Sequence, residues 1–167
     1  MTFAFGAKSE AEMKGVHPGL VDVVRRALAQ SPVDFAVHDG IRTTAEQKNY
    51  VAAGVSQTMS SLHLPQADGL GHAVDLVPYV NGKLRWEWPP IYAIAAAMRR
   101  ALDAHNAEQA KAGKPPLRIR WGGAWRDLST IDPSAWAMDM AVRSYTDARR
   151  KAGKPAFQDG PHFEVMP

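Results

Sequence analysis

Few residues of this chain can do acid–base or metal chemistry: six histidines, no cysteine, and the carboxylates near those histidines. Without a thiol, disulfides, thiolate nucleophiles and cysteine-based metal sites are excluded, so any metal has to sit on His, Asp or Glu. The stretch "GHAVDLVPYV", residues 71–80, reads as a strand carrying Asp75 between Val74 and Leu76. A carboxylate so close to a core needs a partner, because charged side chains are almost never buried alone. Strand residues alternate between faces, so Asp75 shares its face with Ala73 and Val77 while His72 points the other way. His63, in an upstream loop free to fold back, is the better partner. Near the end, in "DGPHFEV", His162 and Glu164 share a strand face and Asp159 stands three residues before His162 across a Gly-Pro turn. Two imidazoles and a carboxylate are the ligand set of a catalytic zinc with one position left for water. Asp159 is then the spare carboxylate that such a site uses as its base. The same residues admit a plainer reading, in which Asp75 pairs with Arg42 or Arg120 and "HFEV" is a half-exposed strand. His17 at a helix start, His38 at a strand end and His105 on the polar side of a long helix read as capping or surface histidines.

These groups must be positioned by the elements around them. Leu20, Val23, Val24, Ala27 and Leu28 have the spacing of one helical face, and that helix ends at Pro32. Val33, Phe35 and Val37 alternate up to Gly40, which predicts a short strand. "TTAEQKNYVAAG" opens with the pattern of a capping box and stops at Gly54. After a Ser/Pro/Asp/Gly loop over residues 55–71, the strand over 72–80 runs into Asn81-Gly82, a strong hairpin signal, so "KLRWEW" is expected to return beside it. "PPIYAIAAAMRRALDAHNAEQAKAG" predicts a long helix and "PPLRIRWGG" a further strand. "DPSAWAMDMAVRSYTDARRKAG" predicts an amphipathic helix with Trp136, Met140 and Val142 to Tyr145 on or near its apolar stripe, and "GPHFEVMP" a closing strand. Helices mixed irregularly with short strands imply an α+β domain with a small, mainly antiparallel sheet flanked by helices.

Composition bounds the remaining possibilities. A chain of 167 residues, 46% of them hydrophobic, is long enough for one domain with a real core and too short for two comfortable ones. Twenty basic against seventeen acidic residues give a net charge of +3, without the dense basic and aromatic stripe of a nucleic-acid binder. No segment approaches the roughly 20 apolar residues that span a bilayer, so no membrane insertion is expected. The N-terminus has neither a basic start followed by an apolar stretch nor a small-residue cleavage site, which predicts synthesis in the cytoplasm without a signal peptide.

The order of the motifs adds a resemblance. "SLH", then "GHAVD", "WGG" and "DGPHFE" resemble the zinc peptidases of the D-Ala-D-Ala carboxypeptidase and L-alanyl-D-glutamate endopeptidase family. That family is marked by Ser-x-His-x-x-Gly-x-Ala-x-Asp and a late Asp/Glu-x-x-His. Ser61, His63, Gly71, Ala73 and Asp75 match the first element, Asp159 and His162 the second, and "IRTTAEQ" at 41–47 is similar to the family's arginine-containing segment. The resemblance implies the Hedgehog/D,D-peptidase-like fold and Zn2+ held by His63, Asp75 and His162. It also implies Asp159 as general acid–base, and Arg42 as the residue that stabilises the oxyanion or holds a substrate carboxylate. Glu164 is then expected to support His162 rather than to bind metal.

Two departures from the pattern stand out. Seven residues, Leu64 to Leu70, separate His63 from Gly71 where the family has two, which leaves His72 as the reserve ligand. A helical insertion at about 126–156 is expected to pack on the domain or wall the cleft. The substrate implied is the peptidoglycan stem peptide, cut at the L-Ala-D-Glu bond by a phage or prophage endolysin that reaches the wall after holin-type release. The chain is expected to be a single catalytic domain over residues 1–167, monomeric, with no separate wall-binding domain. The alternatives are a D-Ala-D-Ala carboxypeptidase or dipeptidase, and a wall-binding module that keeps the zinc without turnover.

Overall fold

A computed structural model of the chain describes residues 2–167. Five helices, α1 (Ala7–Met13), α2 (Pro18–Gln30), α3 (Thr44–Ala52), α4 (Trp88–Lys111) and α5 (Ala135–Lys151), alternate with six short strands. The strands are β1 (Phe35–Asp39), β2 (Ala73–Val80), β3 (Lys83–Leu84), β4 (Ile119–Trp121), β5 (Arg126–Asp127) and β6 (His162–Val165). The sheet runs β1-β2-β6-β4-β5 with every neighbouring pair antiparallel, and β3 is paired with the end of β2. This is the expected α+β architecture.

Local chemistry accounts for the element ends. The His17 ring accepts a hydrogen bond from the Gly19 N–H and Pro18 opens α2, so one donor is satisfied and another is absent. Thr43 and Glu46 form the predicted capping box at the start of α3. The helix α4 starts with proline in its first turn, its Ala95, Ala97 and Ala101 are fully buried, and α2 packs along it.

Period two divides the sheet into two unlike faces. Phe35, Val37, Val74, Leu76, Ile119, Trp121 and Phe163 join residues of α2, α4 and α5 in one apolar cluster. Burying each such side chain fully stabilises the fold by about 1.5–3 kcal/mol. One residue along from these, His38, Asp75, Arg120, His162 and Glu164 line a cleft of about 790 Å³. A register shift in β1 between Val37 and Asp39 lets Asp39 line the cleft together with His38, although adjacent strand residues normally part.

Three expectations from the sequence need correction. Of "KLRWEW", Lys83 and Leu84 pair with β2 as a strand and Arg85 N–H still donates to Pro78 O, after which the chain turns into the start of α4. Trp136 is 72% exposed and Met140 43% exposed, because the stripe that α5 buries is Met138, Ala141 and Val142, with Tyr145 packed at its edge. That set follows the i, i+3, i+4, i+7 spacing, and Trp136 and Met140 lie off it. His105 is buried instead of solvated, since α2 covers that side of α4 and brings Asp22 Oδ2 to 2.7 Å from His105 Nδ1.

Candidate metal centre

Antiparallel pairing sets Asp75 of β2 directly opposite His162 of β6 on the cleft face. Asp75 Oδ1 lies 3.1 Å from His162 Nδ1 and 3.3 Å from His63 Nε2, and the two ring nitrogens are 3.2 Å apart. His63 comes from the loop before β2. Its backbone carbonyl accepts from the Arg42 N–H and its Nδ1 donates to the Gly40 carbonyl at 2.7 Å, so Nε2 is the nitrogen left facing Asp75. On the opposite side, His162 Nε2 donates to Glu164 Oε2 at 2.8 Å, which leaves Nδ1 facing Asp75. Fixing the outer nitrogen of each imidazole fixes its tautomer. Two ring nitrogens and a carboxylate oxygen thus converge, and this His63, Asp75 and His162 group could hold a metal ion once His162 gives up a proton.

The fields in the cluster follow from that convergence. Burial would raise the Asp75 carboxyl, but the His63 and His162 rings outweigh it and hold Asp75 well below the usual carboxylate range. Burial would lower the His162 imidazole, but hydrogen bonds to Asp75 and Glu164 push it up to about 10. Asp159 behaves in the opposite way: burial and the negative charge of Asp75 raise it to about 6.

Glycines allow this close assembly. A Cβ on Gly40 would stand 1.9 Å from the Glu12 carbonyl oxygen, so no larger residue can present the carbonyl that holds His63. A Cβ on Gly122 would stand 2.5 Å from the Asp159 carbonyl oxygen and 3.0 Å from His162 Cβ. The "WGG" stretch therefore lets β4 approach the turn that carries Asp159. Trp125 follows it with φ of 47°, a left-handed backbone that costs a non-glycine residue about 1–3 kcal/mol. Its indole N–H donates to the Phe157 carbonyl and its ring lies 5.6 Å from that of His162. Nothing in the residue pattern marked Trp125 beyond its place two residues after "WGG".

Arg42 and Arg120 are placed differently from one another. Arg42 is 8% exposed and donates from Nε to Asp39, from Nη1 to Gln47 and from Nη2 to Asp75 at 3.0 Å, with its guanidinium over the Tyr50 ring. The pairing of Asp75 with Arg42 and its grouping with the histidines thus coexist, one carboxylate oxygen serving each. Arg120 pairs with Glu164 and not with Asp75. His72 faces away from the cluster and sits 2.8 Å from Asp68 Oδ2, so it takes no part in it. The extra residues Leu64 to Leu70 close on themselves through Gln66 N–H to Leu70 O and Gly69 N–H to Gln66 O. Their ends stay together, with His72 N–H donating to Leu62 O.

The sequence matches the family described as phage L-alanyl-D-glutamate peptidase over residues 1–166. The chain belongs to this family. Among its relatives, the L-alanyl-D-glutamate peptidase of Escherichia phage T5 is 35% identical over 130 residues, which cover 75% of this chain and 83% of the phage T5 protein. The crystal structure of the Serratia marcescens L-Ala D-Glu endopeptidase ChiX superposes with a TM-score of 0.65 at 34% identity, covering 98% of this chain and 90% of ChiX. For a phage L-alanyl-D-glutamate peptidase family member, the His63, Asp75 and His162 group at the floor of the cleft is the natural place to look for the chemistry. Among the described residues no helix is long and apolar enough to cross a membrane.

Proposed function

We propose that this chain is a zinc-dependent endopeptidase that cuts the L-Ala-D-Glu bond of peptidoglycan stem peptides, as a phage endolysin does. The observation that carries the reading is the spacing of the three converging ligand atoms, 3.1–3.3 Å. Ligands about 2.0–2.1 Å from zinc at tetrahedral corners stand roughly 3.3 Å apart, so the donor set suits that ion in both chemistry and size. When bound, zinc would acidify a water and polarise the scissile carbonyl.

The protein's own groups supply the rest. Asp159, raised to about 6 and not engaged as one of the three converging donors, is ionised at neutral pH yet basic enough to take the attacking water's proton. It then passes that proton to the leaving amine. Arg42, enclosed by Asp39, Gln47 and Asp75, holds the Asp75 carboxylate in place. Glu164 fixes the ring of His162 through Nε2. The protein works in this reading as a single catalytic domain and a monomer, reaching the wall after release from the host cytoplasm through a holin-type pore.

Digestion of purified peptidoglycan followed by mass spectrometry tests the reading. New L-Ala C-termini and D-Glu N-termini, lost with a chelator and restored by zinc, are the expected result. Release of D-Ala alone would replace the endopeptidase with a carboxypeptidase.

A further inference from the structure

The cleft has two arginines, and one of them is still available. Arg42 is buried against Asp39 and Asp75. Arg120 has a side chain 43% exposed, held at two sides: Nε donates to Glu164 Oε1 at 2.6 Å, Nη2 meets the same oxygen, and the guanidinium lies 5.5 Å from the Trp125 ring centre. Among the described residues Nη1 has no hydrogen-bond partner. A planar fork is thus locked by a carboxylate and an indole while one edge is left open to the cleft. Arginine restrained in this way loses little side-chain freedom on meeting an anion and binds a carboxylate through two parallel N–H bonds.

Its place relative to the metal cluster narrows what that anion can be. Arg120 sits opposite Glu164 in the β4–β6 register, and Glu164 in turn holds His162, so Arg120 is two hydrogen bonds from the cluster. In a stem peptide the D-Glu residue is extended through its side-chain carboxyl, which leaves its α-carboxylate free. Only the amide nitrogen and Cα separate that carboxylate from the scissile carbonyl, so it must fall beside the metal cluster when the bond is in position.

Resting on the peptidase reading above, we propose that Arg120 is a specificity-determining residue that binds the free α-carboxylate of the D-Glu residue. It thereby selects stem peptides in which that group is a free acid over those in which it is amidated. An α-amide is neutral and offers one oxygen where the guanidinium needs two. The Glu164 contact aims the fork, and the Trp125 ring supports it from below.

The test compares zinc-loaded wild type with Arg120→Gln and Arg120→Lys on two soluble muropeptides, identical except that the D-Glu α-carboxyl is free in one and amidated in the other. Wild type should prefer the free acid in kcat/KM by about 10–100-fold, the range of a hydrogen bond to a charged group. In Arg120→Gln the ratio should fall towards one, with the loss falling mainly on the free acid and zinc content unchanged. Arg120→Lys keeps the charge and a partner for Glu164, so it should fold and bind zinc as wild type does, yet still lose most of the preference. Equal rates on both substrates in wild type, or a Lys variant with the full wild-type ratio, would overturn the assignment. So would a uniform loss that leaves the ratio intact in both variants, since that is the signature of a merely structural Arg120. A zinc-loaded wild type that cuts neither muropeptide would overturn the peptidase reading itself and the assignment with it.

Discussion

On the helix side of the sheet, Val74, Leu76, Ile119, Trp121 and Phe163 merge into one apolar cluster, while one residue along the same strands Asp75, Arg120, His162 and Glu164 face the cleft. The helix side is held by non-directional burial, which depends on area and fit. The cleft side is held by directed bonds, in which each imidazole has one nitrogen committed to Gly40 or Glu164 so that the other can face Asp75. Damage to the first face should therefore appear as lost stability, and damage to the second as lost metal, lost turnover or altered selectivity in a folded protein.

The sharpest break is at the cluster itself. His162→Ala should lose both metal and activity, and chelation of wild type should abolish hydrolysis until zinc is returned; metal analysis beside a lysis assay reads both. Next comes Asp159→Asn, which should fold and keep about one zinc while losing roughly 10²–10⁴-fold in turnover. Near-normal turnover in that variant would remove Asp159 from the mechanism and point to Glu164.

On the helix face the expected effect is of another kind. Leu76 is 1% exposed, and Leu76→Ala should lower unfolding stability by about 2–5 kcal/mol in denaturant titration, while the folded fraction still binds zinc. A variant that stays stable but loses zinc would break the division between the faces. A subtler expectation concerns protons. With His162 raised to about 10 and Asp75 held low, the metal-free cluster at pH 7 carries a proton on His162 but none on Asp75. Zinc binding at pH 7 should release about one proton, and affinity should rise with pH up to about 10; calorimetry in buffers of differing ionisation enthalpy measures the release. The smallest effect is expected at His72, whose partner Asp68 is exposed: His72→Ala should keep metal and activity and change stability by no more than about 1 kcal/mol. Loss of zinc there would place His72, and not His63, among the metal ligands.

Much of this is legible in the sequence alone, and the exceptions share a cause. The period-two alternation around Asp75 and His162, the capping box at Thr43 and the apolar face of α2 are short-range patterns, and each reappears where its spacing predicts. His105, Trp136 and Met140 depart from their sequence pattern because their exposure depends on which side of a helix a distant element covers. The strained Trp125 and the division of Asp75 between Arg42 and the histidines gave no local signal at all.

The sequence by itself determined which residue types could make a site and which side of β2 and β6 they occupy, because a regular strand alternates its side chains with a period of two. Tertiary structure alone decided which nitrogen of each histidine faces Asp75. It also decided that Arg42 is enclosed while Arg120 keeps an open edge, and that Gly40 and Gly122 let backbones come close enough for all of this. Those outcomes depend on distances between segments far apart in the chain, His63 and His162 being 99 residues apart, and such distances are set only when the whole core has packed.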